Sequence, residues 1–218
     1  MTGRLLALTG MLLFFSCARL PAIAPTVEPP TATAACAYMF PAGKWQLLHL
    51  IEVDLPGGRH GVMTGLTILS SSLRSHRSVI MSVEGFVVFD AEVDRKLTVH
   101  RALPPFDAPG FAEGLMEDIR LIFFAPAGSP EECGCLDDGS AVCRYHDSGG
   151  GRVDIVSRAA GACEVRRYDR KQRLVRVVKV PSGAPAEGRM PKTLELTARG
   201  PQHYKLVMTL IEAVPLDQ

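Results

Sequence analysis

Short apolar segments that alternate with short polar turns are the feature of this sequence that most constrains its fold. In the first half of the chain we expect β-strands at Val62–Leu69, Arg77–Ser82, Phe86–Val93 and Leu97–Leu103. β-Branched and aromatic residues separated by such turns are typical of a meander. The turns are too short to hold a crossover helix, so the strands should pair in an antiparallel manner.

The second half of the chain repeats this pattern. Strands are expected at Gly151–Ala159, Cys163–Asp169 and Arg173–Val180, and two more within residues 190–215. In the last strand, side chains of alternate residues should share one face. The apolar residues at these alternating positions are Tyr204, Leu206, Met208 and Leu210. The sequence therefore predicts a mainly β (α+β) fold.

One segment between the two strand-rich halves has a helical pattern. In Phe111–Phe124 apolar residues recur at the spacing of one helical face, and acidic residues such as Asp118 fall on the expected solvent side. The apolar face is formed by Phe111, Leu115, Ile119 and Ile122. A single amphipathic helix in a strand-rich chain must bury this face against a sheet.

The N-terminus has the pattern of an export signal. Arg4 precedes an apolar run at Leu5–Phe15, which is too short to span a bilayer. Ser16 and Cys17 follow, and this arrangement resembles the lipobox of bacterial lipoproteins, in which the cysteine is acylated. We therefore expect residues 1–16 to be a signal peptide and Cys17 to be a lipid anchor. An ordinary cleaved signal and an N-terminal membrane tether are the alternatives.

Residues 17–35 are rich in proline, alanine and threonine and show no apolar periodicity. A segment of this composition buries too little apolar surface to fold alone, and proline keeps it extended. We expect it to be a lipid-anchored linker that holds one folded domain, residues 36–218, away from the membrane. A domain of this length is large enough for a hydrophobic core.

The cysteines suit an exported, oxidised protein. A hairpin turning at residues 137–139 would place Cys133 opposite Cys143, and this geometry suits a cross-strand disulfide. A zinc site that combines these residues with Cys135 and His146 is the alternative, although the spacing matches no common zinc pattern. We expect the disulfide, and neither a metal nor another cofactor.

Charge and motifs argue against several classes of function. The formal net charge is +1, so no strong field attracts nucleic acid and no nucleic-acid partner is expected. The basic segment Arg166–Lys179 alternates with apolar residues, as the solvent face of a strand pair does. The sequence contains no G-x-S-x-G, H-E-x-x-H or P-loop motif. We therefore expect that the protein is not an enzyme.

The order of these parts resembles the LolA/LolB superfamily of periplasmic lipoprotein carriers, and most closely its outer-membrane LolB branch. The resemblance rests on Cys17, the GVMTGLTIL strand, the SVEGFVVFDAEV hairpin, the mid-chain helix, the CEVRRYD strand and the ending MPKTLELTARGPQHYKLVMTLIEA. It implies an open antiparallel β half-barrel with a helix closing a hydrophobic cavity that holds acyl chains of lipids or lipoproteins. It also implies a lipid-anchored protein of the cell outer membrane that faces the periplasm, takes part in lipid or lipoprotein transport and can meet a periplasmic carrier protein.

The expected sheet carries apolar residues on both of its faces. Residues 86–89 are apolar at four successive positions, so both faces of that strand need cover. Either the helix and sheet form a simple two-layer core, or part of this surface lines a lipid cavity, where each buried acyl methylene contributes about 0.8 kcal/mol. On the second interpretation the lining residues are Val87, Phe89, Leu115, Ile119, Phe123, Leu196, Leu206, Met208 and Leu210.

The SVEG hairpin should protrude from the sheet, with Val83 and Glu84 at its tip. In the LolB branch the corresponding hairpin presents an exposed leucine, and Glu84 stands at that position here. A carboxylate enters a bilayer only at high cost, so we expect a divergent, LolB-like lipid binder and do not assert insertion of lipoproteins. The alternative function is a cell-envelope assembly or structural lipoprotein whose exposed strand edge recruits a protein partner.

Overall fold

The computed structural model describes residues 19–26, 32–181, 190–201 and 203–216 of the 218-residue chain. Within these ranges the chain forms one large β-sheet, a four-residue helix α1 (Ala32–Ala35) and a 13-residue helix α2 (Phe111–Phe123). The strands are β1 (Lys44–Leu55), β2 (Arg59–Ser70), β3 (Ser75–Met81), β4 (Val87–Val93), β5 (Leu97–Ala102), β6 (Glu132–Cys135), β7 (Ala141–His146), β8 (Arg152–Ser157), β9 (Cys163–Tyr168), β10 (Leu174–Val180), β11 (Thr193–Ala198) and β12 (Tyr204–Pro215). The prediction of a mainly β fold is confirmed. Neither helix of the described ranges is long and apolar enough to cross a membrane.

The twelve described strands form one open antiparallel sheet in the order β5-β4-β3-β2-β1-β12-β11-β10-β9-β8-β7-β6. Strands that are consecutive in sequence are neighbours in the sheet, except that β5 and β6 lie at opposite edges. The first and last strands, β1 and β12, pair at the centre. In the central pair, Val53 lies opposite Leu206 and Ile51 opposite Met208. A bulge between Leu48 and His49 shifts the register of this pair. The predicted antiparallel meander is therefore present in both halves of the sheet.

Helix α2 lies in the connection between the two edge strands, β5 and β6. Gly110, whose positive φ of 78° suits glycine, precedes the helix, and the backbone returns to an extended conformation at Phe124. The chain must cross from one edge of the curved sheet to the other, and α2 makes this crossing over one sheet face. It contacts β4 through Phe89 and Phe111, whose rings lie 5.5 Å apart.

The predicted helix is confirmed, and Glu113 and Glu117 are exposed as expected, but the placement of Asp118 on the solvent side was wrong. Asp118 and Leu121 are buried together with the predicted apolar residues Ile119 and Ile122. Asp118 can be buried because Arg176 on β10 and Tyr204 on β12 donate to its carboxylate.

The two faces of the sheet carry separate hydrophobic clusters. The larger one, here called the inner-face cluster, joins residues of both halves of the sheet to the apolar residues of α2. A small cluster on the outer face consists of Ile23, Leu136, Val142 and Val156. Pairing explains the separation, because Val142 faces Val156 on one side and Cys143 faces Ile155 on the other.

The described residues of the N-terminal segment pack against the sheet. Ala24 and Cys135 exchange two backbone hydrogen bonds of 2.9 Å, which covers part of the β6 edge. Helix α1 contacts β7 and β8, and Ala32 is fully buried. Ile23 and Ala32 are thus buried against the sheet, within a segment whose composition predicts an extended linker.

Strand β1 was not predicted. Its sequence, KWQLLHLIEVDL, has apolar pairs at Leu47-Leu48 and Leu50-Ile51 and lacks the alternation of a half-buried strand. Strand β1 pairs with β2 on one side and with β12 on the other. Leu47 is buried on one face and Leu48 and Leu50 are half-buried on the opposite face, so apolar residues occur on both faces and mask the alternation.

Candidate functional site

The inner face beneath α2 gathers most of the predicted lining residues. Eight of the nine belong to the inner-face cluster or pack against it: Phe89, Leu115, Ile119, Phe123, Leu196, Leu206, Met208 and Leu210. Val87 does not join this cluster, and its neighbour Val88 packs there instead. A bulge between Ile80 and Met81 in the pairing of β3 with β4 shifts the register at this point and breaks the simple alternation on which the prediction of Val87 rested.

The space between α2 and the sheet is largely filled by the chain's own side chains. An apolar hollow of about 10 Å³ remains, bordered by Met39, His49, Ile122, Phe123, Val180, Met190, Pro191 and Leu194. This volume holds about one water molecule, whereas pockets for small molecules measure roughly 300–1,000 Å³. This hollow, bordered by described residues, is therefore too small for an acyl chain, which can enter it only if α2 or the adjoining chain moves.

Polar side chains of the second half of the sheet bind α2 at its centre. The Nε of Arg176 on β10 donates to the Asp118 carboxylate at 2.9 Å, and the Tyr204 hydroxyl on β12 donates to the other carboxylate oxygen. The Arg176 guanidinium also lies 5.4 Å from the centre of the Tyr204 ring. Burial raises the pKa of the Asp118 carboxyl, and the charge of Arg176 opposes this shift. The contacts satisfy a carboxylate that is only 2% exposed.

A second group of ion pairs joins α2 to β9 and to the turn after β7. Arg167 on β9 donates to Glu117 at 2.7 Å and to Asp147 at 2.9 Å. Arg120 of α2 donates to the other oxygen of Asp147 at 3.0 Å. Burial raises the pKa of the Asp147 carboxyl, but the two arginines outweigh this and hold the pKa below its usual value.

Two buried histidines contact α2 from the first half of the sheet. The ring of His49 on β1 lies 5.7 Å from the ring of Phe123, and the ring of His76 on β3 lies 5.5 Å from that of Phe124. The Nε2 of His76 lies 3.2 Å from the carbonyl oxygen of Met116, so this nitrogen carries the proton and donates. Nδ1 of each ring is buried and has no partner in the described part of the chain.

These environments disfavour the charged form of both imidazoles. Burial lowers the pKa of His49 to about 4. Burial also lowers the pKa of His76 to about 4, and the charge of Arg120 adds to this effect, whereas the bond to Met116 opposes it. Both rings are therefore neutral at pH 7.

The predicted protruding hairpin lies between β3 and β4. Val83 is 65% exposed at its tip, and the Glu84 side chain is also exposed. The structure adds Phe86, which was expected inside the strand but lies in the turn and is 72% exposed. The backbone of Phe86 pairs with Ser82 at 2.9 Å, so this ring is held in solvent by a closed turn.

The cysteine residues form two cross-links. Cys133 and Cys143 are joined in a disulfide, so their thiolates cannot serve the alternative zinc site. A second disulfide, which the sequence did not indicate, joins Cys36 to Cys163, and Cys135 keeps a free thiol. Among the described residues, no three His, Cys, Asp or Glu side chains cluster as metal ligands. Cys17 lies outside the described residues.

Sequence reasoning missed the charged and histidine side chains that hold α2. Arg167 and Arg176 belong to the basic segment interpreted as a solvent-facing strand pair, yet both turn toward α2. The segment did contain a clue, because Arg166 and Arg167 are adjacent and must lie on opposite faces of a strand. No sequence signal indicated which faced inward.

The fold is similar to that of several solved structures. A LolA superfamily protein from Nitrosomonas europaea matches over 87% of this chain and 95% of that chain, with a TM-score of 0.54 and 12% identity. A domain described as an outer membrane lipoprotein-sorting protein from Vibrio parahaemolyticus matches over 84% and 89%, with a TM-score of 0.47 and 10% identity. A DUF1329 family protein from Desulfovibrio piger matches over 85% and 92%, with a TM-score of 0.41 and 12% identity.

No protein-family model matches this sequence, and no curated protein is similar to it at the sequence level. At 12% identity, the similarity to the LolA superfamily protein is evidence of the fold alone. The chain therefore has a LolA-like fold, with an open, curved antiparallel sheet and short helices, and the expected closer relation to the LolB branch stays a prediction.

Proposed function

We propose that this protein binds acyl chains of lipids or lipoproteins on its inner face, after α2 has moved away from the sheet. It does so as a lipid-anchored protein of the outer membrane that faces the periplasm and takes part in lipid or lipoprotein transport. The observation that carries the proposal is the polar character of the α2 contact. A 13-residue helix covers a large apolar face, yet its buried Asp118 is ion-paired with Arg176, and His76 lies within hydrogen-bond distance of its Met116 carbonyl.

A helix that is held by polar contacts of this kind can separate from the sheet at low cost. Buried ion pairs contribute little net stability, because their desolvation offsets the Coulomb attraction. The unpartnered Nδ1 atoms of His49 and His76 further weaken the closed arrangement, since a buried polar atom without a partner costs about 1–3 kcal/mol. An acyl chain that replaced α2 over the apolar part of the face would gain about 0.8 kcal/mol per buried methylene.

Native mass spectrometry tests this proposal. The exported protein with Cys17→Ser, which lacks the thiol for lipidation, should carry fatty-acyl species that dissociate on activation. Met208→Glu should abolish this binding, because Met208 is buried within the inner-face cluster. The matched control is Thr209→Glu on the same strand, which should retain lipid because strand alternation places residue 209 on the opposite face.

A second variant protects the test against misfolding, because a buried carboxylate can itself destabilise the sheet. Leu210→Trp fills space at a partly buried position on the inner face and should reduce acyl binding while the far-UV circular dichroism stays that of the unaltered protein. The carrier proposal would be refuted if native mass spectra of the unaltered protein showed no bound lipid, both after purification and after addition of phospholipid.

Labelling with palmitate tests the anchor separately. Incorporation should be lost in Cys17→Ser and retained in Cys36→Ser, because Cys36 is in a disulfide with Cys163. Sucrose-gradient separation of the labelled membranes then assigns the protein to the outer or inner membrane. Incorporation that persists in Cys17→Ser would refute the lipoprotein assignment.

The alternative of an envelope assembly protein has one observation in its favour. In the described residues β5 is the outermost strand on its side of the sheet, and Val99 on it is exposed. Such an edge can accept a strand from a partner protein. This second function would be supported if the protein bound no lipid but bound a protein partner, and if Val99→Pro abolished that partner binding. Proline should have this effect because it disrupts edge pairing.

A further inference from the structure

A hollow distinct from the apolar space under α2 lies at the C-terminal end of this helix. It has a volume of about 60 Å³ and is bordered by Arg74, Arg120, Leu121, Phe124, Pro126, Ala127, His146, Asp147, Ser148, Val153 and Val165. A hollow needs about 10–15 Å³ to hold one water molecule, so this one has room for a small polyatomic ion. Its border combines two arginines with the Asp147 carboxylate, the His146 imidazole, the Ser148 hydroxyl group and apolar residues.

Arg74 is held in an unusual conformation at this hollow. Its φ of 51° lies in the left-handed region, which costs a residue with a Cβ about 1–2 kcal/mol. The guanidinium donates to the Ala125 carbonyl oxygen at 3.1 Å and lies 5.6 Å from the centre of the Phe124 ring. Among the described residues, no carboxylate pairs with Arg74. Strained residues of this kind are often found at binding sites.

The neighbouring charges leave the hollow positive. Arg120 donates to Asp147 at 3.0 Å, and the same carboxylate accepts from Arg167 at 2.9 Å. Arg167 also pairs with Glu117. Three guanidinium groups, including that of Arg74, therefore face two carboxylates, and one positive charge remains. Burial lowers the pKa of Arg74, and the nearby positive charge of Arg120 lowers it further.

We propose that this hollow binds the phosphate group of a phosphate ester between Arg74 and Arg120. A phosphate oxygen is a strong acceptor, and the planar guanidinium presents paired N–H donors that match it. The hydroxyl group of Ser148 can donate a further bond from the turn after β7. The anion supplies the negative charge that Arg74 lacks, while Asp147 stays paired with Arg120 and Arg167.

The phosphate group can come from a lipid headgroup or from a water-soluble ester. Leu121, Val153 and Val165 border the hollow and also belong to the inner-face cluster. A ligand with a phosphate in the hollow would therefore have an apolar surface beside its ester bonds. This proposal does not rest on acyl binding, because a soluble phosphate ester needs only the polar part of the hollow.

Isothermal titration calorimetry at low ionic strength tests the proposal with three probes. Inorganic phosphate and glycerol 3-phosphate carry the anion alone, and dihexanoyl phosphatidic acid below its critical micelle concentration adds short acyl chains. Each probe should bind, and Arg74→Gln should weaken binding at least tenfold, because a hydrogen-bonded charge contact is lost. Arg74→Lys should restore part of the affinity, since the charge returns without the planar donor pair.

The matched control is Arg77→Gln, on the neighbouring strand β3. Arg77 is paired with Asp90 at 2.7 Å outside the hollow, so this variant should bind phosphate as the unaltered protein does. The site would be refuted if Arg77→Gln lost as much phosphate affinity as Arg74→Gln, or if Arg74→Gln bound phosphate as tightly as the unaltered protein. It would also be refuted if the unaltered protein bound no phosphate at 20 mM salt. Far-UV circular dichroism checks that each variant is folded.

The acyl-bearing probe separates this inference from the proposed function. If dihexanoyl phosphatidic acid binds at least tenfold more tightly than glycerol 3-phosphate, and if this binding depends on Arg74, the phosphate comes from a lipid headgroup. This result would support both proposals. Equal affinities identify a water-soluble ester, which supports the site and counts against acyl binding. Acyl binding in native mass spectrometry without any phosphate binding would leave the proposed function standing and refute the phosphate site.

Discussion

The Asp118 carboxylate on α2 lies 2.9 Å from the Nε of Arg176 on β10, so a residue of the crossover helix is paired with a strand far from either edge. Tyr204 on β12 donates to the same carboxylate. These bonds fix the rotation of α2 over the inner face, because a turn of the helix would leave Asp118 buried without a partner. The position of α2 thus depends on the Asp118–Arg176 pair as well as on apolar packing.

Replacement of Arg176 by methionine tests this dependence. Arg176→Met removes one partner and leaves the buried carboxylate with Tyr204 alone, so the free energy of unfolding should fall by about 3–5 kcal/mol. Chemical unfolding in urea, followed by tryptophan fluorescence and circular dichroism, measures the loss. The double variant Asp118→Leu with Arg176→Met should recover much of it, because no unpaired charge then remains.

An exposed ion pair of the same sheet provides the control. Lys205 and Glu195 lie 2.8 Å apart on neighbouring strands with side chains open to solvent. Lys205→Met should change the free energy of unfolding by less than about 1 kcal/mol. A loss for Lys205→Met as large as that for Arg176→Met would show that burial of the Asp118 pair is not the cause.

The two buried histidines should make stability depend on acid. Both have a pKa lowered from 6.5 to about 4, so below pH 6.5 the unfolded chain binds protons that the folded protein does not. Stability should therefore be lost as the pH falls from about 6.5 to about 4, by roughly 3 kcal/mol for each histidine. In urea unfolding across this pH range, the acid-dependent loss of stability of His49→Leu should be smaller, because one of the two histidine contributions is removed.

At pH 7 the same variant should be close to the unaltered protein in stability. His49→Leu removes a buried Nδ1 atom without a partner and keeps an apolar side chain against Phe123. His100→Gln, at a solvent-exposed position on β5, is the control and should keep the steep acid dependence. An acid profile that is the same in His49→Leu and the unaltered protein would contradict the assignment of that dependence to His49.

The strands were predictable where one face of the sheet is apolar and the turns are short. Tyr204, Leu206, Met208 and Leu210 all contact the inner-face cluster, as alternation along the last strand indicates. Strand β1 could not be recognised, because apolar residues occur on both of its faces and mask the alternation of a half-buried strand. Its pairing with β12 joins residues separated by nearly the whole chain, and no local pattern encodes such a contact.

The contacts that hold α2 could not be predicted for a different reason. Asp118, Arg176 and Tyr204 lie far apart in sequence, and each has an ordinary place in a local pattern: a helix flank, a basic strand and an aromatic strand position. Their roles follow from the path of α2 over the curved sheet. Eight of the nine predicted lining residues belong to the inner-face cluster or pack against it, and the sequence could not show that such residues fill the interior themselves.

The disulfide between Cys36 and Cys163 should contribute more stability than the one between Cys133 and Cys143. The first joins residues 127 apart in sequence and the second residues 10 apart. Because closure of a longer loop removes more entropy from the unfolded chain, the expected contributions are about 5 and about 3 kcal/mol. Paired replacement of each bridge by alanine, with urea unfolding, compares them. Equal losses would mean that loop length does not govern these bridges.

The exposed phenylalanine of the β3–β4 hairpin should act on membrane association and not on folding. Phe86 is 72% exposed, and Val83 at the same tip is 65% exposed, so Phe86→Ser should change the free energy of unfolding by no more than about 0.5 kcal/mol. Co-sedimentation with phospholipid vesicles should weaken, because an aromatic ring gains free energy by entering the interface. Leu73→Ser, which alters a turn residue that is also 72% exposed, is the matched control. Vesicle binding reduced equally by both variants would indicate a general effect of surface hydrophobicity and would exclude a specific role of this hairpin.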